Sequence, residues 1–212
     1  MEEVADPVRL VLDTSVFTNP DSARAWGRSP AAALAAFVAL AREAGDRCHC
    51  FMPPSVYEEL LHFVGRAAVP PELELVVQLK APNRYEVRVP GFLLYELIDD
   101  IRTRIDRGLR VAERAVREGT AENVDRTIHR LRARYREAVR SGLLDSREDV
   151  DLILLAREID GALVSSDGGM VRWAERLGIR LIHPDRLRAV LEQLARAEVP
   201  QGAEGPGGSP QS

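Results

Sequence analysis

Two short runs of β-prone residues, each stopped by an aspartate, constrain this chain more than any other feature. Val8-Arg9-Leu10-Val11-Leu12 breaks off at Asp13-Thr14-Ser15, and Ala162-Leu163-Val164-Ser165-Ser166 breaks off at Asp167-Gly168-Gly169. Apolar runs of this kind read as buried strands with polar groups presented at their carboxyl ends. Buried parallel strands need helical crossovers between them, and the neighbouring sequence supplies them. Ser29-Pro30 opens an alanine- and leucine-rich helix over about residues 29–43, with Ser29 as N-cap and Pro30 in the first turn. Residues 48–52 form a second candidate strand, and Pro53-Pro54-Ser55 leads into a helix over about 56–64. Beyond Asp167 the pattern predicts a helix to about residue 177, a strand at 180–182 and a final helix at 185–197. The expected fold class is α/β, a parallel sheet flanked by helices.

The middle of the chain departs from this alternation. A short helix near residues 71–79 and a strand at 85–89 are expected before Pro90-Gly91. Helical periodicity then runs over 92–118, breaks at Gly119-Thr120, and resumes over 121–140 until Ser141-Gly142. That is the pattern of an inserted α-helical hairpin. A helix over 148–160 follows, with Gly161 placed as its C′ glycine. The expected organisation is one sheet domain made of 1–91 and 141–199, interrupted by a hairpin at 92–140. The Gly/Pro/Ser/Gln-rich tail 200–212 is expected to be disordered.

A net charge of −4 argues against a nucleic-acid partner until its distribution is considered. Residues 102–140 hold twelve arginines against six acids, so this stretch alone carries +6 and the remainder −10. No apolar run reaches the roughly 18 residues that span a bilayer, and the acidic start Met1-Glu2-Glu3 lacks the basic stretch of a secretory signal. A cytoplasmic protein with no membrane partner is expected. Cys48 and Cys50 are read as buried small hydrophobes, since Cys-x-Cys lacks the usual zinc spacing even with His49 and His62 nearby.

Ligands bind outside the carboxyl ends of parallel strands, which places Asp13 and Asp167 at one crevice. Asp145 and Asp149 lie just before and at the start of the helix that feeds the Asp167 strand. Bare carboxylates gathered this way repel unless cations neutralise them. Hard divalent ions take oxygen ligands and can activate water against a phosphodiester. Each acid also has a plainer reading, as a helix cap or turn residue. Placement at the ends of separate elements favours the joint site. Of Glu58 and Glu59, on the helix after the second strand, Glu59 is the favoured neighbour. Ser15 is a further auxiliary candidate.

The sequence Leu-Asp13-Thr-Ser, then Pro-Pro-Ser-Val-Tyr-Glu-Glu59-Leu, then Asp149 seven residues before Ala156, then Leu-Val-Ser-Ser-Asp167 resembles a PIN-domain nuclease. The length, the hairpin and Leu-Leu-Asp145-Ser-Arg-Glu-Asp149-Val-Asp151 just after it resemble more narrowly the small protein-only RNase P enzymes called HARPs, homologs of Aquifex RNase P. The resemblance implies a PIN-like sheet and removal of the 5′ leader of precursor tRNA with Mg²⁺ or Mn²⁺. No catalytic RNA subunit is implied. Asp13, Asp145, Asp149 and Asp167 would be the catalytic and metal-holding acids, with Asp151 auxiliary. The hairpin would be a spike that builds a large homo-oligomer and engages tRNA. Many PIN domains carry another acid after the last aspartate, where this chain has Gly168.

The second hairpin helix carries an apolar stripe at Val124, Ile128, Leu131, Tyr135 and Ala138, read as packing. Beside it His129, Arg132, Arg136 and Arg140 share one flank. A row of guanidinium groups suits a phosphate backbone and offers no base-reading code. The plainer reading is a solvated face with ion pairs to Glu137 or Asp125. Two other functions fit the acids: a toxin-type PIN ribonuclease, against which the long basic hairpin argues, and a non-catalytic PIN-fold RNA-binding scaffold. A haloacid-dehalogenase-type phosphatase needs a second aspartate where this chain has Ser15.

Overall fold

The computed structural model describes residues 6–120, 123–140 and 146–196. In chain order the elements are β1 (Val8–Leu12), α1 (Ser15–Thr18), α2 (Pro20–Ala23), α3 (Pro30–Ala44), β2 (Cys48–Met52), α4 (Pro54–Val64), α5 (Leu73–Val76) and β3 (Val77–Leu79). They continue with α6 (Phe92–Glu118), α7 (Val124–Arg140), α8 (Arg147–Glu158), β4 (Ala162–Val164), α9 (Gly168–Leu177), β5 (Leu181–Ile182) and α10 (Pro184–Arg196). Asp145, Ser141-Gly142 and the tail 200–212 lie outside the described residues.

Five strands pair in the order β3-β2-β1-β4-β5, and every described pairing is parallel. β1 is central: Val8 stands opposite Cys48 and Val11 opposite Phe51 on one side, while Leu10 faces Ala162 and Leu12 faces Val164 on the other. The order reverses at β1, so the crevice between the carboxyl ends of β1 and β4 is the switch point at which such sheets bind ligands. Leu10, Val11, Leu12, Leu163 and Val164 are fully buried, as strands covered on both faces must be. α3 packs against α10, and α8 against α4, α9 and β1. Phe37 of α3 meets Phe17 and Trp26 edge-to-face at centroid distances of 5.3 and 5.9 Å. Among the described residues no helix is long and apolar enough to cross a membrane.

Two local expectations are corrected. The third strand is Val77–Leu79, within the stretch expected to be helical, and 85–89 is not a strand. Only one helical turn forms, at Leu73–Val76, before Val77 enters the core and pairs with Cys50. The alternation at Tyr85-Glu86-Val87-Arg88-Val89 imitates a half-buried strand. Instead the Glu86 and Val87 N–H groups both donate to the Asn83 carbonyl at 3.1 Å, closing a turn, and Tyr85 is 99 % exposed. The second correction concerns the end of α8. The left-handed residue is Asp160, at φ 49°, not Gly161. Aspartate tolerates this region better than most side chains. Gly161 serves a close approach: a Cβ there would lie 3.3 Å from the Arg9 carbonyl oxygen, where the chain enters β4 beside β1.

α6 and α7 pack against each other as an antiparallel pair. Gly108 lets them approach closely, since a Cβ at this position would fall 2.6 Å from the Tyr135 ring. Glu118 faces Arg130 and Arg134 at 3.8 and 3.7 Å near the tip. At the base, Glu96 of α6 pairs with Arg176 of α9 and Leu93 packs on the core.

Candidate active site

Asp13 continues the ladder past the end of β1, its N–H donating to the Val164 carbonyl at 3.1 Å. This draws the ends of β1 and β4 together, and a hydroxyl network then fixes the carboxylate. Ser15 Oγ and Ser165 Oγ each donate to Asp13 Oδ2 at 2.6 Å. The same two oxygens accept backbone N–H groups, Ser15 Oγ from Ser166 at 3.1 Å and Ser165 Oγ from Asp167 at 3.0 Å. Each serine has a single hydroxyl proton and gives it to Asp13. The 3.5 Å separation between the two serine oxygens is therefore a contact and not a bond. Asn19 Nδ2 donates to Ser166 Oγ at 2.9 Å and ties the β4 end to the start of α2. Asp13 is only 7 % exposed.

Asp167 is linked to Asp13 through Ser165. Its Oδ1 accepts the Gly169 and Met170 N–H groups at 2.7 and 2.9 Å, capping α9. The cap leaves Oδ2 without a bond to the described residues. Asp149 completes a capping box at the start of α8. Its N–H donates to Ser146 Oγ at 3.0 Å, and its Oδ2 accepts the Ser146 N–H at 3.3 Å. For both residues the capping role is observed, and the cap holds the carboxylate at a helix N-terminus.

Parallel topology sets the direction of those termini. α4 and α9 begin just after β2 and β4 end, and α8 runs back toward the start of β4. All three N-termini therefore lie at the carboxyl edge of the sheet, where their dipoles favour anions. Glu59 reaches this edge, accepting from Thr14 Oγ1 at 3.3 Å. Thr14 has one proton to share between Glu59 and Asp13 Oδ1, which lies 3.4 Å away. Glu58 points elsewhere and pairs with Arg66 at 3.7 Å.

Asp151 has different surroundings. It is 3 % exposed, and both of its oxygens are engaged. Arg84 donates from Nε to Oδ1 at 2.9 Å and from Nη2 to Oδ2 at 2.6 Å, while Ser55 Oγ donates to Oδ2 at 2.9 Å. The structure thus places Asp151 as an anchor for α4 and the loop after β3. Among the described residues no three His, Cys, Asp or Glu side chains gather as a cation cage. The donors at the switch point are nonetheless all oxygens. Mg²⁺ is commonly held by one or two carboxylates, with water and substrate phosphate completing its shell, and Asp13 with Asp167 fits that demand.

Cys48 and Cys50 are buried and free, with sulfurs 3.8 Å apart. The Cys48–Cys50 contact lowers the Cys48 thiol pKa. The same contact, with burial, raises that of Cys50. His62 bonds to the Glu58 carbonyl of its own helix at 2.7 Å.

A family model described as PINc domain ribonuclease matches residues 9–196. This chain belongs to that family. Among curated relatives, a Pyrococcus abyssi protein named RNA-free ribonuclease P is 47 % identical over 189 residues, covering 88 % of this chain and 93 % of its own. The protein of the same name from Thermococcus onnurineus is 49 % identical, covering 88 % and 95 %. That from Nitrosococcus oceani is 46 % identical, covering 91 % and 98 %. Membership makes the chain a hydrolytic endoribonuclease with a PIN-like α/β sheet. The hydroxyls of Ser165, Thr14 and Ser55, and the guanidinium of Arg84, were not singled out from the sequence. The serine pair before Asp167 was the available signal, since a polar strand end must bond to something.

Proposed function

We propose that this chain removes the 5′ leader of precursor tRNA, as an RNA-free ribonuclease P. The carrying observation is that the two strand-end aspartates are held by hydroxyls at a parallel-sheet switch point in a chain that also bears a long arginine-rich hairpin. The names and coverage of the relatives support the same reading. Asp13 and Asp167 would hold Mg²⁺ or Mn²⁺, with Asp149 and Asp145 proposed to join them. The cation supplies Lewis acidity that activates water and balances charge on the phosphodiester. Ser15 and Ser165 hold and aim the Asp13 carboxylate, and the three helix N-termini draw the scissile phosphate to the edge. Water attacks phosphorus in line, leaving a 5′-phosphate on the tRNA and a 3′-hydroxyl on the leader.

The RNA body is held by the α7 flank. His129, Arg132 and Arg136 are exposed, and none of the described acids pairs with them. Arg136 Nε turns to the Arg132 carbonyl at 3.2 Å. α7 ends at Arg140. Self-assembly draws support from α6, where Leu94, Ile98, Ile101, Ile105 and Leu109 form an exposed apolar stripe at helical spacing. A homo-oligomer built through the hairpin, working in the cytoplasm without an RNA subunit, accounts for that stripe. The test is incubation of purified protein with precursor tRNA and Mg²⁺ or Mn²⁺. A cut at the mature 5′ end that is lost in Asp149→Asn is expected. A cut that survives removes Asp149 from the mechanism, and tight tRNA binding with no cleavage overturns the reading.

A further inference from the structure

The loop after β3 leaves the carboxyl edge of the sheet beside α8 and is tied down more firmly than a connecting loop requires. Lys80 N–H extends the ladder to the Met52 carbonyl at 3.0 Å. Lys80 Nζ meets Glu158 Oε1 at 2.8 Å, and the Asn83 N–H donates to Glu158 Oε2 at 2.7 Å. Asn83 Nδ2 donates to Glu86 Oε2 at 2.7 Å within the turn. Arg84 is then clamped by Asp151 through Nε and Nη2. Asp151 and Glu158 lie seven residues apart on α8, so one face of that helix holds both ends of the turn. The clamp also connects to the acid cluster. Ser55, which donates to Asp151, sits one turn before Glu59 on α4, and Glu59 accepts from Thr14 beside Asp13.

Two groups are left facing outward by this construction. The Arg84 side chain is 59 % exposed although its partner carboxylate is buried. Its Nη1 donates to none of the described residues, so two N–H groups remain available. Tyr85, next in sequence, is 99 % exposed. A tyrosine ring held in water on an anchored turn forgoes apolar burial, and it offers a flat face beside a fixed guanidinium. Proteins that hold unpaired nucleic acid combine these two elements, an aromatic platform for a base and a cation for the backbone.

We propose that the Arg84–Tyr85 turn is a landing site for the unpaired strand of the RNA substrate, Tyr85 stacking on one base and Arg84 donating to an adjacent phosphate. The proposal rests on the reading of the chain as a leader-removing nuclease, and it identifies the leader as the occupant. Asp151 is a positioning residue, fixing the direction of Arg84. Because Arg84 and Asp151 neutralise each other, the site adds directed donors with little net charge. Its contribution therefore depends on leader length more than on salt.

The test compares wild type with Tyr85→Ala and Tyr85→Phe on precursor tRNA carrying either a long unpaired leader or a single-nucleotide leader. Tyr85 is so exposed that its truncation leaves the fold intact, which a melting curve checks. Roughly tenfold weaker KM for the long leader is expected in Tyr85→Ala. The single-nucleotide substrate and binding of leaderless tRNA should be unchanged, and Tyr85→Phe should restore the wild-type value because it keeps the ring. Equal losses on both leaders, or no loss on either, would overturn the proposal. Failure of the wild type to cut precursor tRNA would instead refute the function reading. Anisotropy with a single-stranded RNA oligonucleotide then decides the landing site by itself: weaker binding by Tyr85→Ala supports it, and equal binding overturns it.

Discussion

Replacing Ser165 with alanine should weaken both the fold and the site, because one buried hydroxyl serves two partners. Ser165 is 0 % exposed. Its proton goes to Asp13 Oδ2 at 2.6 Å, and its oxygen takes the Asp167 N–H at 3.0 Å. Deletion removes a hydrogen bond to a carboxylate, about 1.5–3 kcal/mol, and strands a backbone donor at about 1–3 kcal/mol. Ser15 still serves the same Asp13 oxygen, which returns part of that loss. A net cost of about 3 kcal/mol corresponds to roughly 6–12 °C in Tm for a chain of this size. Thermal melts by circular dichroism without added metal measure this directly. Asp13 also loses one of the two hydroxyls that aim it, so cleavage by Ser165→Ala should need more Mg²⁺ for half-maximal rate. A variant with unchanged Tm and an unchanged Mg²⁺ profile would refute the idea that this hydroxyl joins the two strand-end acids.

Two further outcomes test other parts of the molecule. Gly108→Leu should part α6 from α7, because even a Cβ would fall 2.6 Å from the Tyr135 ring. Lower helicity and a smaller mass by light scattering are expected, while in Gly108→Ala the gain in helix propensity, about 1 kcal/mol, offsets a small ring shift; unchanged mass and helicity in Gly108→Leu would count against the hairpin as the assembly element. Glu158 has its carboxyl held below the usual carboxylate range by the Lys80 ammonium and then by the Asn83 N–H. A depressed folded-state pKa contributes stability above the unfolded value, about 4.3, that is lost as pH falls through the folded value. The Tm gap between wild type and Glu158→Gln should therefore be full at neutral pH and close in acid. A gap that persists to the lowest pH would assign the effect to packing.

The sheet was legible because buried parallel strands leave short apolar runs, and those of β1, β2 and β4 were each bounded by a helix signal. β3 was hidden by its brevity. Three residues carry almost no periodicity, and the better-looking alternation at Tyr85–Val89 lacked the buried face that makes a strand. Asp13 and Asp167 could be paired from strand-end logic alone. Asp149 could be placed only at a helix start, where the capping box with Ser146 gives the same sequence signal as a site residue. Asp151 illustrates the remaining gap. Its spacing from Asp149 is compatible with an auxiliary acid. What decides its surroundings is Arg84, 67 residues earlier on another loop, and no local pattern encodes that pairing. Asp160 shows the same limit on a smaller scale, since the glycine beside it looked like the better cap.

The adjacency of β1 and β4 has a consequence for the making of the protein. Asp13 and Ser165 are 152 positions apart, and the central ladder that joins them closes one of the longest loops in the chain. Contacts of that separation form late, since the entropy of closing the loop must be met before they return anything. On the ribosome Asp13 emerges early and stays without its β4 partners until the last third of the chain has been synthesised. An unfinished chain therefore carries the basic hairpin before β4 brings Ser165 and Asp167 to Asp13. On the proposed function, cleavage would be withheld until translation is nearly complete.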